Sequence, residues 1–182
     1  QNTAYSLALY EKAIPGGFSF DEMLACAHES GFDRLEISID ETDARLSRLD
    51  WTAAQKQALV HSIRLSGVPI RTMCLSGHRK YPFGAHEASV REKSLAIMKK
   101  AVDFSAEVGV SVIQLAGYDV YYESGDDASR AWFLENLQKA VEFAASAGVV
   151  LAFETMETPF MDTVGKAMRY VRQIDSPWLG VY

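Results

Sequence analysis

The residues of this chain that could do chemistry fall where apolar runs give way to polar ones. Val149-Val150-Leu151-Ala152-Phe153 is a run of the kind buried on both faces of a parallel sheet, and it ends in Glu154, with Glu157 and Pro159 just beyond. A carboxylate there is costly to bury unless something pairs with its charge. Ligands of parallel α/β proteins gather at the C-terminal ends of strands, so Glu154 is expected to bind a divalent metal and to move a proton. The structural alternative is a carboxylate that caps the following helix or pairs with a neighbouring strand. Glu36, Glu154 and Glu157, with His78 and Gln114, all lie at strand ends read in this way. Oxygen and imidazole donors suit Mg²⁺, Mn²⁺ or Zn²⁺. The sequence has no H-E-x-x-H, C-x-x-C or EF-hand loop, so the metal reading rests on position rather than spacing.

Other groups have two readings each. His78-Arg79-Lys80 is either a grip for an anionic substrate such as a phosphate or a solvated loop. Arg45 and Arg48, following Asp40-Glu41-Thr42-Asp43, read as partners in surface ion pairs worth about 0–1 kcal/mol each. Tyr118, Tyr121 and Tyr122 either wall a sugar pocket or pack structurally. His28, His61 and His86 fall on or near helices, away from any strand end.

The elements that must position these groups repeat. Ala4–Tyr10, Arg34–Asp40, Val68–Leu75, Val110–Ala116, the run from Val149 and Trp178–Tyr182 read as strands. In the second of these, alternation puts Glu36 and Ser38 on the face opposite Leu35, Ile37 and Ile39, which in a barrel is the inside. Helices are expected from Ser19-x-x-Glu22 to about Ser30 and from Thr52-x-x-Gln55 to Gly67, both opening on capping boxes, then over His86–Glu107, Ala128–Ala147 and from about Asp162. Gly31, Gly67, Gly109 and Gly148 each join a helix end to a strand start, at spacings of 36, 42 and 39 residues. That is the length of a βα unit, and repeated βα units require a parallel sheet with right-handed crossovers.

There is no G-x-G-x-x-G and no G-x-x-x-x-G-K-[ST], so a doubly wound nucleotide-binding sheet is disfavoured. Polar or aromatic residues at every strand end favour a (β/α)8 TIM barrel, which typically needs about 250 residues. Residues 1–182 hold six strands and five helices of it, so the chain is expected to be the N-terminal two-thirds of a single barrel domain, its C-terminal part absent. Gln1 in place of a methionine likewise suggests a trimmed start.

Composition narrows the function classes. At 48% hydrophobic and 23% charged, the chain is ordinary for one globular domain. A net charge of -6 argues against a nucleic-acid partner. No apolar run suits a membrane span and no signal-peptide pattern opens the chain. Cys26 and Cys74 make neither a disulfide framework nor a thiolate site and read as reduced core residues of a cytoplasmic protein.

Several segments then carry a resemblance: Tyr10-Glu11-Lys12-Ala13, Asp40 through Trp51, Met73-Cys74-Leu75-Ser76-Gly77-His78-Arg79, and Ile113 through Tyr122. Together they resemble the L-xylulose-5-phosphate (L-ribulose-5-phosphate) 3-epimerases of L-ascorbate and pentose catabolism, in the xylose-isomerase-like barrel superfamily. The resemblance implies a cytoplasmic isomerase, homodimeric, with one divalent metal (Zn, Mn or Mg) held by Glu, Asp, His and Glu. Only the first maps here, onto Glu154; the Asp is expected just after Tyr182, with the others later. Where this chain has Glu157 the family tends to carry Asp. The implied reaction inverts C3 of a phosphorylated ketopentose through an enediolate, with Glu154 as one acid/base and His78, Gln114 and Glu36 as substrate contacts. Competing readings are another sugar or sugar-phosphate isomerase on the same barrel, a DNA-repair endonuclease disfavoured by the acidic balance, and a non-catalytic fragment if 182 residues is full length.

Overall fold

A computed structural model of the protein describes residues 5–182. Six parallel strands lie side by side in chain order: Ala8–Tyr10 (β1), Arg34–Ser38 (β2), Ile70–Leu75 (β3), Val112–Ala116 (β4), Val150–Glu154 (β5) and Leu179–Val181 (β6). Helices Phe20–Glu29 (α1), Asp43–Leu46 (α2), Ala53–Ser66 (α3), Ala88–Val108 (α4), Asp127–Ala147 (α5) and Val164–Ile174 (α6) connect them. This is the strand–helix order of a TIM barrel. The expected first strand is shortened to β1, and its first residue, Ala4, lies outside the described residues.

The junctions form as their residues dictate. Ser19/Glu22 and Thr52/Gln55 close reciprocal capping boxes at the starts of α1 and α3. Gly67, Gly109 and Gly148 cap α3, α4 and α5 in the left-handed region, at φ +70°, +91° and +69°. The expected five helices become six because Thr42 caps the four-residue α2, which a 3₁₀ turn, Ser47–Asp50, continues. The polar stretch hides that turn, since its helical period is only one turn long.

Strand alternation sorts the molecule into two sides. In register across the sheet, Met73, Ile113, Leu151 and Leu179 form one row toward the helices, and Leu75, Leu115 and Phe153 another, all buried. The opposite face carries Glu36, Ser38, Cys74, Gln114 and Glu154. Cys26 and Cys74 are half-buried free thiols, Cys26 packed against the core and Cys74 on the opposite face.

The mouth of the sheet is tied together by a carboxylate that sequence reading passes over. Glu11, at the tip of β1, is 3% exposed. It accepts from Arg45 Nε (3.0 Å), from Arg48 Nη1 (2.7 Å to Oε2) and from the Ser38 amide (2.7 Å). Arg48 also donates to the Ser38 carbonyl (3.1 Å) and lies over the Phe20 ring. Arg45 and Arg48 are therefore not surface ion-pair partners: they reach back to a buried acid because α2 and the turn after it fold over the end of β1. Removing one member of such a cluster strands the others, so Glu11→Ala should lose about 3 kcal/mol of stability in urea unfolding. Glu11→Ala with Arg48→Met should lose less than the two single losses added, and strict additivity would refute the coupling.

Candidate functional site

The C-terminal strand ends surround a cleft of about 670 Å³. It is lined by Glu36, Cys74, Gln114 and Glu154 from the strands, by Lys12, Asp40, Glu41, Thr42, Ser76, Arg79 and Tyr118 from the loops, and by Tyr182. Two of these, Glu36 and Glu154, sit on the same face of β2 and β5, and the hydroxyl of Tyr182 donates to Glu36 Oε2 at 2.5 Å. That bond links the chain after β6 to β2, far away in sequence, and it marks how strongly the sheet curls.

Glu154 is a half-exposed carboxylate whose affinity for its proton is raised, first by burial and then by the charge of Glu36, with Gln114 opposing through a hydrogen bond. Backbone packing holds it in place: a Cβ on Gly117, just past β4, would stand 2.6 Å from the Glu154 carbonyl oxygen and 2.9 Å from Met161 Sδ. Only glycine lets the β4 loop pass that close to β5. Asp40 has the opposite electrostatics. Burial alone would raise its carboxyl, but Lys12 (2.8 Å) and the hydroxyl and amide of Thr42 overcome that and hold it well below the usual carboxylate range.

Of the side chains singled out from sequence, Glu154, Glu36 and Gln114 come together in this cleft. His78 does not. It is buried under the Phe83 ring (4.6 Å between centroids), with Nε2 donating to the Ser94 carbonyl of α4 at 3.1 Å. Burial pushes its pKa down to about 4, so it is neutral at pH 7 and serves as a packing residue with one satisfied hydrogen bond. The substrate contact expected of His78 is corrected accordingly. The turn after β3 carries the next residue, Arg79, to the cleft instead. Among the tyrosines, Tyr118 lines the cleft, Tyr121 lies under Arg79, and the exposed Tyr122 donates to Glu41 (3.0 Å). Glu157 is exposed and accepts a long bond from Tyr121 (3.5 Å).

Lys12 and Asp40, which sequence reading left out, also line the cleft. The signal for them was present, since each lies two residues past the end of its strand. As a donor set, Glu154 and Glu36 are two mutually repelling oxygen ligands that a cation would relieve, which fits Glu154 as one ligand of a hard divalent ion. The described residues gather no group of three or more His, Cys, Asp or Glu side chains able to hold a metal. Among these residues no helix is long and apolar enough to cross a membrane.

The sequence profile of the xylose isomerase-like TIM barrel matches residues 24–182. The chain belongs to that family. It is 46% identical over 176 residues to the L-ribulose-5-phosphate 3-epimerase UlaE of Salmonella heidelberg (strain SL476), which covers 97% of this chain and 62% of that relative. The chain thus spans somewhat under two thirds of the length of the curated relative it matches. Among solved structures, D-psicose 3-epimerase in the presence of D-fructose superposes with a TM-score of 0.83 over 97% of this chain and 62% of that one, at 15% identity. A xylose isomerase-like TIM barrel protein from Mycobacterium smegmatis in complex with magnesium gives 0.75 over 98% and 64%, at 14% identity. These two likenesses bear on the fold.

The repulsion within the cleft has a pH signature. Because the folded-state pKa of Glu154 is raised, its stabilising contribution is complete below the ordinary carboxylate range and is lost as pH rises through the raised value. Glu154→Gln, which mimics the protonated form, should therefore raise the urea midpoint of chelator-treated protein at pH 8 more than at pH 4. Glu36→Gln should shift the Glu154 carboxyl titration downward by carbon NMR, and an unmoved titration would exclude coupling between the two.

Proposed function

We propose that this chain carries the proton-transfer half of a carbohydrate 3-epimerase that inverts C3 of a ketopentose 5-phosphate, L-ribulose 5-phosphate or L-xylulose 5-phosphate, as in L-ascorbate and pentose breakdown. The observation that carries the reading is Glu154: a carboxylate of raised proton affinity at the tip of β5, facing a polar cleft, in a chain 46% identical to a curated L-ribulose-5-phosphate 3-epimerase.

The C3 proton of a 2-ketose is acidic because the carbonyl at C2 accepts the charge left behind. Glu154 removes that proton, and its raised affinity brings it closer to the acidity of the C–H it must meet. Gln114, on the strand beside Glu154, orients the carboxylate, and burial with the charge of Glu36 keeps its affinity high. A divalent ion of the magnesium, manganese or zinc type, with Glu154 among its ligands, would supply positive charge beside O2 and lower the cost of the enediolate. Inversion requires the proton to return on the opposite face, from a second acid. Glu36, turned into the cleft, is positioned as a substrate contact, with Tyr182 fixing its orientation.

A single barrel domain, a homodimer and a cytoplasmic setting belong to the same reading; the two free cysteines fit a reducing compartment. In the full-length protein, Glu154→Gln should lower C3 epimerisation by at least about 10²-fold and abolish solvent-deuterium entry at C3. Deuterium appearing at C1 with aldose formed would make the protein an aldose–ketose isomerase instead. Full epimerisation by Glu154→Gln would end the proposal.

A further inference from the structure

The loop that follows β4 is held from outside itself. Among the described residues, 120–125 make no backbone–backbone hydrogen bond, so side chains set the loop's place. Yet this loop builds a wall of the cleft. Tyr118, at its start, lines the cleft, the Tyr121 ring lies 4.9 Å from the Arg79 guanidinium, and the Tyr122 hydroxyl donates to Glu41. Its far end is tied to the loop after β3 by His86, a residue that sequence reading set aside as lying away from any strand end.

His86 meets a carboxylate on each side of its ring. Its amide donates to Glu123 Oε1 at 3.1 Å, its Nδ1 lies 2.9 Å from Glu123 Oε2, and its Nε2 lies 3.1 Å from Asp126 Oδ2. Asp126 Oδ1 meanwhile caps α5 by accepting the Ser129 amide at 2.8 Å. The other charged groups nearby are engaged elsewhere. Arg91 of α4 donates to the carbonyls of Ala85 (2.6 Å) and His86 (2.9 Å) and lies over the Trp132 ring of α5 at 4.0 Å. Glu87 is bonded to Ser89, and Asp127 pairs with Arg130 at 3.1 Å. Trp132 meets the imidazole edge-on, 5.8 Å between centroids. An ionised carboxylate only accepts, and a neutral imidazole donates from one nitrogen alone, which would set its other lone pair against the second acid. The imidazolium satisfies both. In keeping with this, the bonds to Asp126 first and to Glu123 second raise its affinity for a proton.

We propose that His86 is a positioning residue for the cleft: as an imidazolium it clasps the β3 loop to the β4 loop, and on losing its proton it frees the tyrosine-bearing wall, so that ketose binding weakens as pH rises. The consequence for the substrate rests on the epimerase reading; the clasp itself does not. Because the proton affinity of His86 is raised in the folded protein, the clasp is complete below the ordinary histidine pKa and is lost as pH rises through the raised value. The groups are exposed, so water and salt screen them and the effect is a tuning of affinity rather than an on–off gate.

The test uses the full-length protein. Imidazole nitrogen NMR, with the His86 signals assigned by their absence in His86→Gln, should give a midpoint above the unperturbed value of about 6.5, with both nitrogens protonated below it. Glu123→Gln and Asp126→Asn, the latter keeping a capping side chain, should each bring that midpoint down. KM for L-ribulose 5-phosphate in His86→Gln, divided by the wild-type KM, should fall from about 2- to 5-fold near about pH 6 to about one near about pH 9, with kcat little changed; the ratio cancels the substrate's own titration. His86→Arg, charged throughout and carrying a fork of donors, should keep the low KM at both ends. A KM ratio that does not change with pH would leave His86 a structural residue only, and a midpoint at or below the unperturbed value would remove the imidazolium; either result overturns the proposal. Wild-type protein that does not epimerise the sugar phosphate would sink the epimerase reading, and the NMR midpoints of the wild type and the two carboxylate variants would then decide for or against the clasp.

Discussion

A single buried carboxylate under two arginines holds the mouth of this barrel in shape. Glu11 directly follows β1, Arg45 and Arg48 lie on α2 and the turn after it, and Ser38 ends β2. All four meet within hydrogen-bonding distance. A buried acid is a liability alone, so each partner is obligatory for the others. The consequence reaches outward: with Arg45 fixed, Asp40 is fixed, and with Asp40 fixed, Lys12 and Thr42 take their places on the cleft wall. On the other side, Arg48 lies over Phe20, Phe20 meets Trp51 edge-on and Trp51 meets Phe104 edge-on, so the ion cluster is anchored through aromatic contacts to α1 and α4.

The opposite wall is built by close approach rather than charge. Gly84 donates its amide to the Asp119 carbonyl, and a Cβ there would stand 2.4 Å from the Ser129 carbonyl oxygen. Asp119, itself buried, accepts from Ser129 Oγ at 2.5 Å, and Asp126 caps α5 against the same serine. The loops after β3 and β4 are thereby locked to each other and to the start of α5. That lock puts Tyr118 and Arg79 on one wall while His78, one residue before Arg79, is turned into the core. A loop residue's neighbour in sequence is thus no guide to its neighbour in space.

The two walls give the cleft its division of labour. Carboxylates whose charges are answered by lysine and arginine, such as Asp40 and Glu11, are structural. Glu154 is different: burial first, and the charge of Glu36 second, raise the affinity of its carboxylate for a proton.

Sequence alone determined the βα repeat, because helix-ending glycines, capping boxes and alternating strands are local devices that work without distant partners. It also placed Glu154 at the tip of its strand; Glu36 and Gln114, read as strand-end residues, sit in the middle of β2 and β4 and line the cleft from there. What it could not determine was pairing across the chain. Arg45 and Arg48 look like surface charges until Glu11, more than thirty residues away, is brought beneath them. His78 and Arg79 look equivalent until the turn after β3 sends one into the core and the other into the cleft. Burial and charge compensation are properties of side chains that meet only when the sheet has curled, so the roles they assign belong to the tertiary structure.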